Sequence, residues 1–90
     1  MISLKYETKF SEIDDLILVD EKEYNNNDGY EVDKNEILRF LVINTIKESE
    51  KIAENCYKIK TNDSVFYIIC PLYASEVIKQ RYEEIINILD

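Results

Sequence analysis

The chain has 90 residues, enough for one hydrophobic core, and we expect a single domain over residues 1–90. Hydrophobic residues make up 46% of it and the net charge is −8, which excludes a compositionally disordered chain and disfavours direct binding to nucleic acid. Histidine is absent and only two cysteines are present, so His-dependent catalysis and four-coordinate zinc sites are excluded too.

The N-terminal third predicts strands and a polar loop. Residues 2–10 alternate apolar and polar side chains, a pattern typical of a half-buried strand. Leu16 to Val19 is a compact apolar run, which we interpret as a second strand paired with the first. A short helix from Ser11 onward is the alternative. Residues 20–30 are polar and carry a turn signal at Asp28-Gly29.

A long helix is predicted from about Lys34 to Glu54. Asp33 and Glu36 have the identities and the spacing of a capping box. The charged run over residues 47–51 favours helix over strand by intrinsic propensity. The inward stripe of this helix would be formed by Leu38, Leu41, Val42, Thr45, Ile46, Ser49 and Ile52.

The segment from Cys56 to Cys70 predicts a β-hairpin, because two apolar-rich runs flank a polar turn at residues 61–64. The register that pairs Ile59 with Phe66 gathers most apolar side chains of the hairpin on one face. The same register places the two cysteines on opposite faces, so we expect free thiols.

A final helix is predicted from Leu72 or Ser75 to Leu89. The element order is then β-β-α-β-β-α, which indicates an α+β fold with a small antiparallel sheet of about four strands and two helices packed on one face. The apolar stripe of the last helix would consist of Ala74, Ile78, Tyr82, Ile85 and Leu89.

No signal for the membrane or for secretion is found. No apolar signal-peptide core follows Met1, and the longest apolar run, Val65 to Cys70, is far shorter than the roughly 18 residues of a spanning helix. We therefore expect a cytoplasmic protein with no membrane partner.

The excess negative charge is concentrated in residues 11–36, the acidic window. This window holds ten acidic residues and two lysines, a net charge of −8 that equals that of the whole chain. The acids are Glu12, Asp14, Asp15, Asp20, Glu21, Glu23, Asp28, Glu31, Asp33 and Glu36. Carboxylates on alternate residues of a strand lie roughly 6.5–7 Å apart, a spacing that matches a row of phosphates. Glu21 with Glu23, or Glu31 with Asp33, would show it if their segments are extended.

Metal binding and catalysis are not expected from this window. Aligning Gly29 with the sixth position of an EF-hand loop puts Asn26 and Asp28 at ligand positions. The first and twelfth positions then fall on Tyr24 and Asn35, and both fail as ligands. Acid-x-Lys triplets occur over residues 7–9 and 20–22, but no Pro-Asp partner precedes either. We expect no metal, no cofactor and no enzymatic activity.

Two interpretations of the acidic window remain open. It is either a solvated face that keeps a small protein soluble, or a surface that docks on a basic protein. Tyr24 and Tyr30 at the turn have two interpretations: they form part of a docking surface, since tyrosine is enriched in protein interfaces, or they simply pack across the turn. The candidate partner-binding residues are Glu12, Asp14, Asp15, Asp20, Glu21, Glu23, Tyr24, Asp28, Tyr30 and Glu31.

In composition the chain is similar to phage-encoded inhibitors of host nucleases, including anti-CRISPR proteins, many of which are small and acidic. The similarity is one of class and carries no motif, so it transfers no residue roles. It implies a non-catalytic inhibitor that competes with nucleic acid for the basic cleft of a nuclease or CRISPR effector. One alternative is an immunity or antitoxin protein that neutralises a toxin. Another is a structural subunit that homodimerises through the exposed edge of the hairpin.

Overall fold

The protein is built on one antiparallel sheet. The structure, a computed structural model, describes residues 15–26 and 31–90. Within them the strands follow the order β2-β1-β5-β4-β3 across the sheet. The predicted α+β class is confirmed, with five strands and three helices. The elements are β1 (Leu16–Asp20), α1 (Glu21–Asn25), β2 (Glu31–Val32), α2 (Lys34–Ile43), β3 (Glu48–Ala53), β4 (Cys56–Lys60), β5 (Val65–Ile69) and α3 (Glu76–Leu89).

Successive residues of a strand point to opposite sides, so the strands place buried side chains on both faces of the sheet. Helices cover both of these faces. The first face carries α2 and α3. Its buried cluster consists of Leu16, Ile37, Ile59, Ile68, Cys70, Ile78, Tyr82 and Ile85. The second face has a smaller cluster, on which α1 places Tyr24. That cluster consists of Ile17, Val19, Cys56, Tyr67 and Ile69.

The predicted hairpin is confirmed in strands and register. Ile59 lies opposite Phe66 in the β4–β5 pair. Cys56 and Cys70 are both free and buried, in the clusters of opposite faces. Among the described residues, both hairpin strands have a neighbouring strand on each side. The edge strands of the described sheet are β2 and β3.

The helix predicted to reach Glu54 is wrong beyond Ile43. Asn44 ends α2, and its backbone N–H still bonds the carbonyl of Phe40. The chain then returns as β3, which pairs along β4. In the expected inward stripe, Val42 is 85% exposed and Ile52 is 40% exposed. Pairing with β4 outweighs the weak helical propensity of the charged run.

The final helix is confirmed as α3. Ser75 is its N-cap, and its hydroxyl accepts the backbone N–H of Ile78. The helix is tied to α2 by an ion pair between Lys34 and Glu84. Three of the predicted stripe residues are buried, and Ala74 and Leu89 pack against the same cluster.

Helix α1 was not predicted. Asp20 is its N-cap and accepts the N–H of Glu23 at 2.8 Å, while the Glu23 side chain accepts the N–H of Asp20 at 3.0 Å. This reciprocal pair is a complete capping box. The predicted N-cap at Asp33 is confirmed as well, since it accepts the N–H of Glu36 at 2.8 Å.

Replacing Asp20 with alanine is expected to lower the free energy of unfolding by about 1 kcal/mol, because the N–H of Glu23 loses its acceptor. Urea unfolding measures the loss. Glu21→Ala, one residue further along, removes the same charge without touching the capping box and should cost less. Equal losses in the two variants would contradict a capping role for Asp20.

The strand predicted over residues 2–10 and the turn at Asp28-Gly29 lie outside the described residues. The predicted strand at Leu16 to Val19 is confirmed as β1, which pairs with β2 and β5. Among the described helices, none has the length and apolar character needed to cross a membrane.

Candidate binding surface

A groove of about 490 Å³ lies where the chain enters β1, α2 and α3. Four carboxylates border it, and the single basic group among its lining residues is Arg81. We call it the acidic groove. Its lining residues are Asp15, Glu31, Val32, Asp33, Glu36, Ser75, Val77, Ile78 and Arg81.

Two of the four carboxylates are fixed by backbone and ionic contacts. Asp15 accepts the N–H of Leu16 at 2.8 Å, and its second oxygen lies 3.3 Å from the guanidinium of Arg81. Asp33 is held by its capping bond to the N–H of Glu36. A carboxylate at the start of a helix is favoured by the partial positive charge there, which accounts for Asp33 and Glu36 at the start of α2.

The groove combines negative charge with an apolar floor. Its lining contains four carboxylates and one guanidinium. Val32 is half-buried, Val77 is 57% exposed, and both line the groove. A lysine or arginine side chain fits such a surface, because its methylenes pack on valines while its charged end meets carboxylates.

The remaining described acids of the window lie at the other end of β1. Asp20 and Glu23 are engaged in the capping box, and Glu21 is exposed on α1. A second cavity, of about 520 Å³, lies here between α1 and the β4–β5 turn. Two lysines and three acids line it, so the charge is nearly balanced. These are Lys22, Lys60, Asp20, Glu21 and Asp63.

The described part of the acidic window therefore does not form one continuous row. Asp15 precedes β1 and Asp20 ends it, roughly 16 Å apart at 3.3 Å per residue. The strand spacing expected for Glu21 with Glu23 is wrong, because both lie on α1. Glu31 and Asp33 keep it, since Glu31 is in β2 and the backbone of Asp33 is extended.

Tyr24 packs within the protein. Its ring stacks on Tyr67 with centroids 3.9 Å apart and an interplanar angle of 10°. Burial raises the pKa of Tyr24, and the nearby Cys56 and Tyr67 raise it further by smaller amounts. Its main contact thus stabilises α1 on the second face of the sheet. Four other candidates, Glu12, Asp14, Asp28 and Tyr30, lie outside the described residues.

Arg81 and Val77 belong to the groove but carry no signal in the sequence. Only the packing of α3 brings them beside Asp15. Asp33 and Glu36 belong to the acidic window and to the predicted helix cap but are not among the candidate partner-binding residues, and the structure places both in the groove. Within residues 15–26 and 31–90, no three acids or cysteines converge closely enough to hold a metal ion.

No known family model matches the chain, and no significant match is found among curated proteins or solved structures.

Proposed function

We propose that the protein is a small non-catalytic inhibitor that presents the acidic groove to a basic cleft. The partner would be a host nuclease or a nucleic-acid-binding defence complex, as for anti-CRISPR proteins. The observation that supports this proposal is the groove itself, which is lined by four carboxylates, one arginine and the exposed Val77. The protein is proposed to act in the cytoplasm without cofactor or metal.

The mechanism is competition for phosphate-binding groups. Glu31 and Asp33 are two residues apart on extended backbone, a spacing of roughly 6.5–7 Å that matches neighbouring phosphates. Lysine and arginine side chains that bind nucleic acid would engage these carboxylates instead. Long-range attraction between the negative groove and a positive cleft accelerates association and makes the rate sensitive to salt.

Arg81 sets the charge of the groove. It pairs with Asp15, whose side chain is largely buried, while Glu31 and Glu36 are both exposed to solvent. The exposed negative charge of the groove therefore lies on the side formed by β2 and α2. These two glutamates are the best positions for a test, since Asp15 and Asp33 also hold the fold together.

The double variant Glu31→Gln/Glu36→Gln is expected to weaken partner binding at least about tenfold at low salt, which corresponds to about 1.4 kcal/mol. Partners are isolated from host lysate, and association rates are then measured with the purified partner over a range of salt concentrations. The salt dependence should become shallower, because two charges no longer steer the encounter. Glutamine at both positions keeps side-chain size, and the Asp33 cap is untouched.

The control variant Glu50→Gln/Asp63→Asn removes two exposed charges outside the groove. It should bind with nearly unchanged affinity. Glu21→Gln separately tests the α1 end of the window. If binding and its salt dependence survive the loss of Glu31 and Glu36, the groove is not the contact surface. If excess nucleic acid fails to relieve inhibition of a nuclease partner, the competitive mechanism is wrong.

A further inference from the structure

A half-open cavity of about 460 Å³ lies between α3, the turn after β3 and the residues that follow β5. It shares no lining residue with the acidic groove. Pro71, Leu72 and Ile86 provide an apolar floor, and Leu72 is 42% exposed. The volume lies within the roughly 300–1,000 Å³ of small-molecule sites.

Backbone contacts hold the floor of this cavity in place. The N–H of Cys70 donates to the carbonyl of Asn55 at 2.8 Å, and the side-chain amide of Asn55 donates to the carbonyl of Cys70 at 2.9 Å. The N–H of Ala74 donates to the carbonyl of Pro71 at 3.0 Å. A site fixed in advance loses little entropy when it binds a ligand.

Two lysines and two glutamates line the cavity. Lys79 and Glu83 lie one turn apart on α3, with Cβ atoms about 5–6 Å apart. The ammonium of Lys79 also lies 3.8 Å from the carboxylate of Glu76, in a solvent-exposed pair of the kind that contributes little and that a ligand can replace. On the other wall, Lys51 and Glu54 form an ion pair at 3.3 Å. The lining is therefore neutral overall, and a purely anionic or cationic ligand would meet as many repelling as attracting groups. A ligand with one charge of each sign matches it.

We propose that this cavity binds a free α-amino acid with an aliphatic side chain. The ligand carboxylate would bind the ammonium group of Lys79, and its ammonium would bind the carboxylate of Glu83. Its side chain would lie on Leu72 and Ile86. Each part of such a ligand has a counterpart among the lining residues, and the proposal is independent of the acidic groove.

Titration of the isotopically labelled protein with L-leucine tests the proposal by NMR. Millimolar leucine is expected to shift the backbone amide signals of Asn55, Lys79 and Glu83 in a saturable manner. The variant Lys79→Gln/Glu83→Gln should keep the folded spectrum and bind leucine at least about tenfold more weakly, a loss of about 1.4 kcal/mol. The control Lys47→Gln/Glu50→Gln removes one charge of each sign outside the cavity and should bind normally.

Two leucine derivatives test the need for both charges. Leucinamide lacks the carboxylate and N-acetylleucine lacks the ammonium, and both should bind more weakly than leucine. Equal binding of either derivative would overturn the zwitterion proposal. So would the absence of saturable shifts, or an equal loss of affinity in the control variant.

Discussion

The free energy of unfolding is expected to fall steeply as the pH rises above 9.0, the ordinary pKa of a thiol. Burial raises the pKa of Cys56 to about 12, against a smaller opposite effect of its hydrogen bond with Tyr24. Burial also raises the pKa of Cys70 to about 11. A thiolate is poorly solvated beside apolar side chains, so the folded protein keeps these protons to higher pH than the unfolded chain does.

The direction in which the free energy of unfolding changes with pH follows from the number of protons that each state binds. Below pH 9.0 both states keep the thiol protons, and this stability is fully present. Between that pH and the folded pKa values, the unfolded chain binds fewer protons, so each pH unit favours unfolding. One pKa unit corresponds to about 1.4 kcal/mol, so the two thiols together are expected to remove several kcal/mol. That is a large share of the roughly 5–15 kcal/mol of a typical domain.

Urea unfolding at successive pH values measures this loss. Cys56→Ala has no proton to lose at this position, so its stability should fall less between neutral and alkaline pH. Because the variant also creates a small cavity, the comparison uses the slope with pH and not the absolute stability. A slope equal to that of the unmodified protein would contradict the role of Cys56.

The hairpin and α3 could be predicted because local pattern and tertiary environment agree there. The alternation of apolar residues with lysines in β4, together with the four-residue turn, favours the observed β4–β5 register. A shift of one residue would move Ile59 and Ile68 out of the first-face core. In α3, the helical spacing of Ile78, Tyr82 and Ile85 has only one way to be buried.

Strand β3 could not be predicted because its own residues favour a different element. Glu48, Glu50 and Lys51 are good helix formers, so the segment is predicted to be helical when its tertiary contacts are not considered. At the edge of a sheet the same charges are useful, because they discourage pairing with another chain. The deciding contact is the ladder with β4, whose paired residues lie between three and twelve residues away along the chain.

The number of acidic residues in the acidic window did not predict how the structure arranges them. Asp20 and Glu23 have the same spacing as Asp33 and Glu36, so the capping-box signal was present in the sequence at α1 as well. The acidic groove is different. It depends on Arg81 and on the meeting of three chain segments, and no local pattern encodes that meeting.

Replacing Tyr82 with phenylalanine is expected to stabilise the protein. Tyr82 is 7% exposed in the first-face core, and its hydroxyl is buried without a hydrogen-bond partner in the part of the chain that the structure describes. A hydroxyl in this position has lost its contacts with water and gained none, at a cost of about 1–3 kcal/mol. Phenylalanine keeps the ring and removes the group that causes the cost.

Thermal unfolding measures the gain from Tyr82→Phe, which should be several degrees, since 1 kcal/mol shifts the Tm of a small domain by roughly 4–8 °C. Tyr57→Phe is the matched control. The hydroxyl of Tyr57 donates to the carboxylate of Asp90, so the same deletion there removes a bond and should lower the Tm. The Tm is expected to change in opposite directions, because the Tyr57 hydroxyl has a hydrogen-bond partner and the Tyr82 hydroxyl has none among the described residues. A lower Tm in both would mean that the Tyr82 hydroxyl is bonded in solution, and the expected gain would be wrong.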